Sequence, residues 1–133
     1  MEKVTKEVMG AVFFEEGRIL IMRRAPFMSC AGSWEFPGGK LEKGESHEQC
    51  LARELREELH IEASIGEFLT ENNHEYDFGT VHLCVYRVRS WRGDMALTVH
   101  DDLRWVPLHE LASFPGLLPA DLPVARALEK ILG

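Results

Sequence analysis

Glu54, Glu57 and Glu58 fall within five consecutive positions and are the residues whose type and spacing most plainly suggest chemistry. On a helix, positions three and four apart share a face, so these carboxylates crowd one another, at about 0.2–0.5 kcal/mol for each like-charge pair. A hard divalent cation relieves that repulsion. Magnesium suits the task, because it takes carboxylate oxygens and keeps sites for water and phosphate. A plainer reading also fits the helix alone. Arg53 can pair with Glu57 and Arg56 can restrain its neighbours, which gives a salt-bridged, solvated face.

The wider spacing separates the two readings. Gly39 is followed after five residues by Glu45, and after seven more by Arg53-Glu54-Leu55-Arg56-Glu57-Glu58-Leu59-His60-Ile61. This pattern resembles the Nudix box, G-x5-E-x7-R-E-U-x-E-E-x-G-U with U aliphatic, and departs from it only at His60, where the family has glycine. Chance agreement at so many fixed positions is improbable enough to displace the plain salt-bridged face. The Arg23-Arg24 pair, the segment Trp34 to Lys40, Trp105 and the tail Pro119-Ala120-Asp121-Leu122-Pro123 extend the resemblance to the MutT-like branch, over most of the chain.

The resemblance implies a Nudix fold, an α/β/α sandwich around a mixed β-sheet, within the α/β (α+β) class. It also implies hydrolysis of a nucleoside diphosphate linked to another group. The leading expectation is a magnesium-dependent hydrolase, with manganese as a possible substitute, that cleaves a nucleoside triphosphate to the monophosphate and pyrophosphate by attack at the β phosphorus. By resemblance the Gly38 carbonyl, Glu54, Glu57 and Glu58 hold the metal, Glu54 accepts the proton of the attacking water, and Arg53 and Glu45 orient the carboxylates. In some family members the base lies outside the helix. Arg24, Phe36 and Asp121 are the expected substrate contacts. A nucleotide sugar or dinucleotide is the alternative substrate. A non-catalytic nucleotide-sensing domain is the alternative class, and loss of the glutamates is its expected mark; here all are present.

Several residues around the box are less decided. His60 stands where a left-handed residue ends the helix, and is read as a slightly costly cap and not a metal ligand. The late acidic residue of MutT-like enzymes falls here on Val99, while His100, Asp101 and Asp102 follow at once, as metal ligands on a shifted loop or as solvated residues. Strand alternation sends Arg23 and Arg24 to opposite faces, so only one readily reaches a phosphate. His74 and Tyr76 line the cleft or are ordinary packing residues. Asp121 either reads the base or caps the last helix. As an ionised acceptor it would favour cytosine or guanine-type bases over uracil and thymine, and Asp121→Asn would narrow the gap.

These side chains need a scaffold to place them. The apolar runs Val8 to Phe14 and Ile19 to Met22, split by Glu15-Glu16-Gly17, predict a hairpin of buried strands. Pro37-Gly38-Gly39 marks a special backbone path. Ser46 and Gln49 form a capping box for a helix from His47 to Leu59, with Leu51, Leu55 and Leu59 as its buried stripe. Strands are expected at 65–70, 80–88 and 103–106, a brief helix at 108–112 and a last helix at 122–132, assembled as one mixed sheet covered by helices.

Composition sets the outer bounds. The 133 residues suit a single domain over 1–133, and 45% hydrophobic with 28% charged residues is ordinary for a soluble globular chain. No apolar run reaches the ~18 residues of a membrane span, and charges interrupt Met1 to Phe14 where a signal peptide would be apolar. Three cysteines without close metal-type spacing fit reduced thiols in a cytoplasm. A net charge of -7 argues against long nucleic acid as partner and leaves a small nucleotide, its charge met by cations, as the expected ligand. The chain is expected to act as a monomer or homodimer.

Overall fold

The computed structural model describes residues 4–133; Met1, Glu2 and Lys3, which open the segment tested for a signal peptide, lie outside it. The chain runs β1 (Val4–Val12), β2 (Phe14–Glu15), β3 (Arg18–Arg24), β4 (Trp34–Glu35), β5 (Gly38–Lys40), α1 (His47–Leu59), β6 (Glu62–Tyr76), β7 (Gly79–Arg92), β8 (His100–Pro107), a 3-10 helix (Leu108–Ser113) and α2 (Leu122–Leu132). No described helix is long and apolar enough to cross a membrane.

The strands form two sheets instead of the expected one. A mixed sheet has the order β5-β1-β7-β6, with β1 parallel to β7 and the other pairs antiparallel. The second sheet is antiparallel and centred on β3, which pairs with β2, β4 and β8. The expected hairpin survives only at its tip, Phe14 against Ile19 and Glu15 against Arg18. β1 runs instead beside β7. Two apolar runs joined by a turn do not distinguish strands that pair from strands that part after the turn.

Both faces of β1 and β3 are covered, which explains their nearly unbroken apolar sequence. Met9, Ala11, Phe13, Leu20 and Met22 pack with Leu51, Leu55 and Leu59 of α1. Val12, Ile19 and Ile21 pack in a second cluster with Val124, Ala125 and Leu128 of α2. The result is the α/β/α layering, with one core on each side of the strands.

α1 matches its predicted limits and start. Ser46 Oγ accepts from Gln49 N at 3.1 Å, and Gln49 Oε1 accepts from Ser46 N at 2.8 Å, so the capping box is complete. His60 ends the helix in the left-handed region (φ 59°, ψ 34°) and its N–H reaches the Arg56 carbonyl. β6 and β7 extend well beyond the expected 65–70 and 80–88, and three register irregularities interrupt their pairing. Those irregularities break the period-2 alternation that would have revealed the length of β6.

Candidate active site

Two glycines bring α1 against the mixed sheet. Gly38 and Gly39 of β5 pair with Gly10 and Met9 of β1. A Cβ on Gly38, whose φ is 148°, would lie 2.0 Å from the Met9 carbonyl oxygen. A Cβ on Gly39 would lie 2.3 Å from Cδ of Glu54. Gly38 admits no side chain, and one on Gly39 would displace the Glu54 carboxylate that now meets its backbone directly.

Arg53 organises the acidic face. Its Nε donates to Glu45 Oε2 at 2.6 Å, Nη2 donates to Glu45 Oε1 at 3.0 Å and to the Lys40 carbonyl at 3.1 Å, and Nη1 donates to Glu54 Oε1 at 2.9 Å and Glu57 Oε2 at 3.2 Å. The Arg53 hydrogen bonds, helped by the Glu42 N–H, hold the Glu45 carboxyl down at about 2. Glu54 moves the other way: burial raises it, against the pull of Arg53. Glu58 is pushed up to about 8, first by burial, then by the charges of Glu54 and Glu35. Its Oε1 is buried with no hydrogen-bond partner among the described residues. Arg56 does not join this group, since it pairs with Glu62 on β6 at 2.9 Å.

Glu58, Gly38 and Gly39 line a cavity of about 320 Å³. Arg24, Phe36 and Asp121 line it too, so five of the expected site residues share one cleft. Glu45, Arg53, Glu54 and Glu57 stand beside it, joined through the Gly39–Glu54 contact.

Glu35, which the sequence reading did not single out, lines the cleft as well. Arg24 Nη1 donates to both of its oxygens at 3.1 Å, and its Oε2 lies 2.9 Å from His100 Nε2. The signal was there: a lone charge between Trp34 and Phe36, both buried. Arg24 is therefore not free to take a phosphate in this arrangement, because its Nε and Nη2 donate to the Ser29 carbonyl and hydroxyl. Arg23 points away to Asp101 at 2.7 Å.

The late acidic cluster separates likewise. Asp101 is taken by Arg23, Asp102 accepts from Leu103 N, and buried His100 alone reaches the cleft through Glu35. His74 and Tyr76 pack edge to face; Tyr76 lines the cleft and its hydroxyl accepts from Ala120 N at 3.3 Å.

Asp121 corrects two expectations. It makes no side-chain capping bond to α2, whose first turn carries a proline instead, and its own backbone is helical. Its Oδ2 accepts from the Phe36 N–H across the cleft at 3.0 Å, with only 6% of the residue exposed. It is also buried, which disfavours the ionised acceptor form assumed from its type. Burial pushes it up to about 8, with Glu35 adding to the rise and the Phe36 N–H and Arg24 opposing it. A carboxyl that keeps its proton can donate as well as accept.

A family model described as the NUDIX domain matches residues 4–128. The chain belongs to the NUDIX family. Among curated relatives, this Nudix hydrolase is 40% identical to the CTP pyrophosphohydrolase of Escherichia coli strain K12 over 121 residues, covering 91% of this chain and 89% of the relative. It is 34% identical to the 8-oxo-dGTP diphosphatase of the same strain over 126 residues, covering 92% and 94%. Of solved structures, that of the E. coli ORF135 protein superposes with a TM-score of 0.87 at 37% identity, covering 98% of this chain and 93% of that one. The MutT protein of Methanosarcina mazei Go1 gives 0.88 at 26% identity, covering 98% and 96%.

Proposed function

We propose that this Nudix hydrolase cleaves nucleoside triphosphates to the monophosphate and pyrophosphate, acting on cytosine or guanine-type bases, oxidised guanine included. The observation that carries the proposal is one cleft lined by Glu58, the Gly38 and Gly39 backbone and the buried Asp121 carboxyl. At about 320 Å³ the cavity is at the small end for ligand sites. It suits a base and sugar whose phosphates reach out along Gly38 and Gly39 toward the glutamates. The names of the relatives, CTP pyrophosphohydrolase and 8-oxo-dGTP diphosphatase, fit that substrate class.

The acidic end also fits a divalent cation. Glu58 Oε1 is buried and lacks a partner, and carboxylate oxygens are the donors a hard ion takes. The Gly38 carbonyl, Glu54, Glu57 and Glu58 would hold Mg2+, or Mn2+ in its place. Such an ion supplies positive charge to the phosphates and makes a neighbouring water more acidic. Glu54 accepts the water proton on a carboxylate oxygen, and its desolvation makes it a stronger base than an exposed glutamate. Arg53 fixes that carboxylate from one side and is itself anchored by Glu45 and the Lys40 carbonyl. Glu35 and Arg24 neutralise each other in the cleft wall and hold its shape.

The test is a panel of nucleoside triphosphates, nucleotide sugars and dinucleotides with Mg2+, scored by kcat/KM. The proposal expects the cytosine or guanine-type triphosphates to lead. A nucleotide sugar or dinucleotide turned over faster than every triphosphate would overturn it.

A further inference from the structure

The mixed sheet has a second face, away from the cleft. Lys6, Val8, Val81 and Leu83 line the cleft, so alternation turns Glu7, His82 and Cys84 to the other side. Register brings them together in two neighbouring rows across three strands. Glu7 of β1 stands opposite His82 of β7, and Glu71 of β6 stands opposite Cys84 of β7. His82 Nδ1 lies 2.5 Å from Glu7 Oε2, Nε2 lies 2.6 Å from Glu71 Oε1, and Cys84 Sγ lies 3.5 Å from Nε2.

We propose that Glu71, His82 and Cys84 form a second metal site, for a thiolate-accepting divalent ion such as zinc, on the sheet face opposite the nucleotide cleft. The three ligand atoms all lie within 4.8 Å of one another. In a tetrahedral zinc site the nitrogen-to-sulfur edge is about 3.5 Å and the nitrogen-to-oxygen edge about 3.3 Å, from bond lengths of roughly 2.0 and 2.3 Å. The observed 3.5 Å between Nε2 and Sγ already matches. The 2.6 Å between Nε2 and Glu71 has to open, and Glu71 is the half-exposed side chain able to swing.

Glu7 completes the arrangement without touching the ion. Both ring nitrogens of His82 face carboxylates, so both carry hydrogens before an ion binds; with an ion on Nε2, Nδ1–H still donates to Glu7, as carboxylates do behind metal-bound histidines. The ion takes the place of any Nε2 proton, and the Cys84 thiol proton leaves to solvent. Cys84 is a free thiol and almost fully buried, so the site has a sulfur ligand shielded on one side and an open position toward water. A thiolate, an imidazole and one carboxylate select zinc or cobalt over magnesium, which separates this site from the all-oxygen set in the cleft.

The experiment is a Co2+ titration of the whole chain, stripped of metal and then held in excess Mg2+ so that the cleft carboxylates are occupied. The expected result is one Co2+ bound with sulfur-to-cobalt charge-transfer absorption in the near ultraviolet, displaced by Zn2+. Cys84→Ser removes that absorption while Cys30→Ser keeps it, and Glu71→Ala weakens binding at least tenfold. Absence of the absorption in the wild type, its persistence in Cys84→Ser, or unchanged affinity in Glu71→Ala would overturn the proposal. Should Cys84→Ser not fold, Glu71→Ala decides alone, and both readouts are independent of hydrolysis in the cleft.

Discussion

The two ends of the cleft treat charge in opposite ways. At the helix end, Glu45, Glu54 and Glu57 all hydrogen-bond to Arg53, and all come from one short stretch of chain. At the far end, Asp121 is buried and answered mainly by a neutral N–H from Phe36, 85 positions away in sequence. The Arg53 bonds hold the Glu45 carboxyl down at about 2, whereas Glu58, which Arg53 does not reach, is pushed up to about 8 as Asp121 is. The far end holds a carboxyl out of water with little charge to answer it, which disfavours its ionised form and costs stability.

The contrast breaks most sharply at Glu54. Glu54→Gln is expected to lower turnover at least a hundredfold with an unchanged circular dichroism spectrum, since an amide is no base and a poor metal ligand. A near-wild-type rate would remove Glu54 from the mechanism.

Asp121 tests the other end through stability. Its folded value of about 8 lies above the unfolded value near 3.8, so the unfolded chain binds fewer protons between those limits. Its contribution to stability is therefore intact below about pH 4, declines as pH rises, and levels off above about 8. Asp121→Asn keeps an acceptor for the Phe36 N–H and has no charge to bury. The stability gap in favour of the variant should widen by on the order of 4 kcal/mol from pH 5 to pH 9, at about 1.4 kcal/mol per unit. Thermal melts at the two pH values give the comparison; a gap that is the same at both would mean that Asp121 is ionised in the fold.

The same proton bears on base choice. A neutral carboxyl can donate to the uracil carbonyl, whereas a carboxylate only accepts and favours the cytosine amino group. The ratio of kcat/KM for CTP over UTP should rise roughly tenfold from pH 6.5 to 9.5, and Asp121→Asn should flatten it. A ratio flat with pH in the wild type would take Asp121 out of base reading. The smallest effect belongs to the scaffold of the acidic end: Ser46→Ala should cost about 1 kcal/mol of stability and leave kcat nearly unchanged, measured by urea unfolding beside steady-state rates.

The same contrast explains what could be read from the sequence. The helix end is local: the capping box, the leucine stripe and the glutamate spacing all lie between Gly39 and Ile61, so α1 and its left-handed His60 were legible. The far end depends on partners brought together by the sheets. Nothing near Asp121 announces that it faces Phe36, and nothing near Glu35 announces Arg24 and His100. The parting of β1 from β3 into different sheets was hidden for the same reason, because an apolar run records burial and not the identity of its neighbour.

The central claim is that the glutamate end directs water at the β phosphorus of a nucleoside triphosphate held by the far end. Hydrolysis of CTP in oxygen-18 water with Mg2+, followed by mass analysis of the separated products, tests it most directly. The account predicts equal amounts of CMP and pyrophosphate with the label in pyrophosphate, at a rate lowered at least a hundredfold by Glu54→Gln. Label in CMP, or release of CDP with inorganic phosphate, would contradict it.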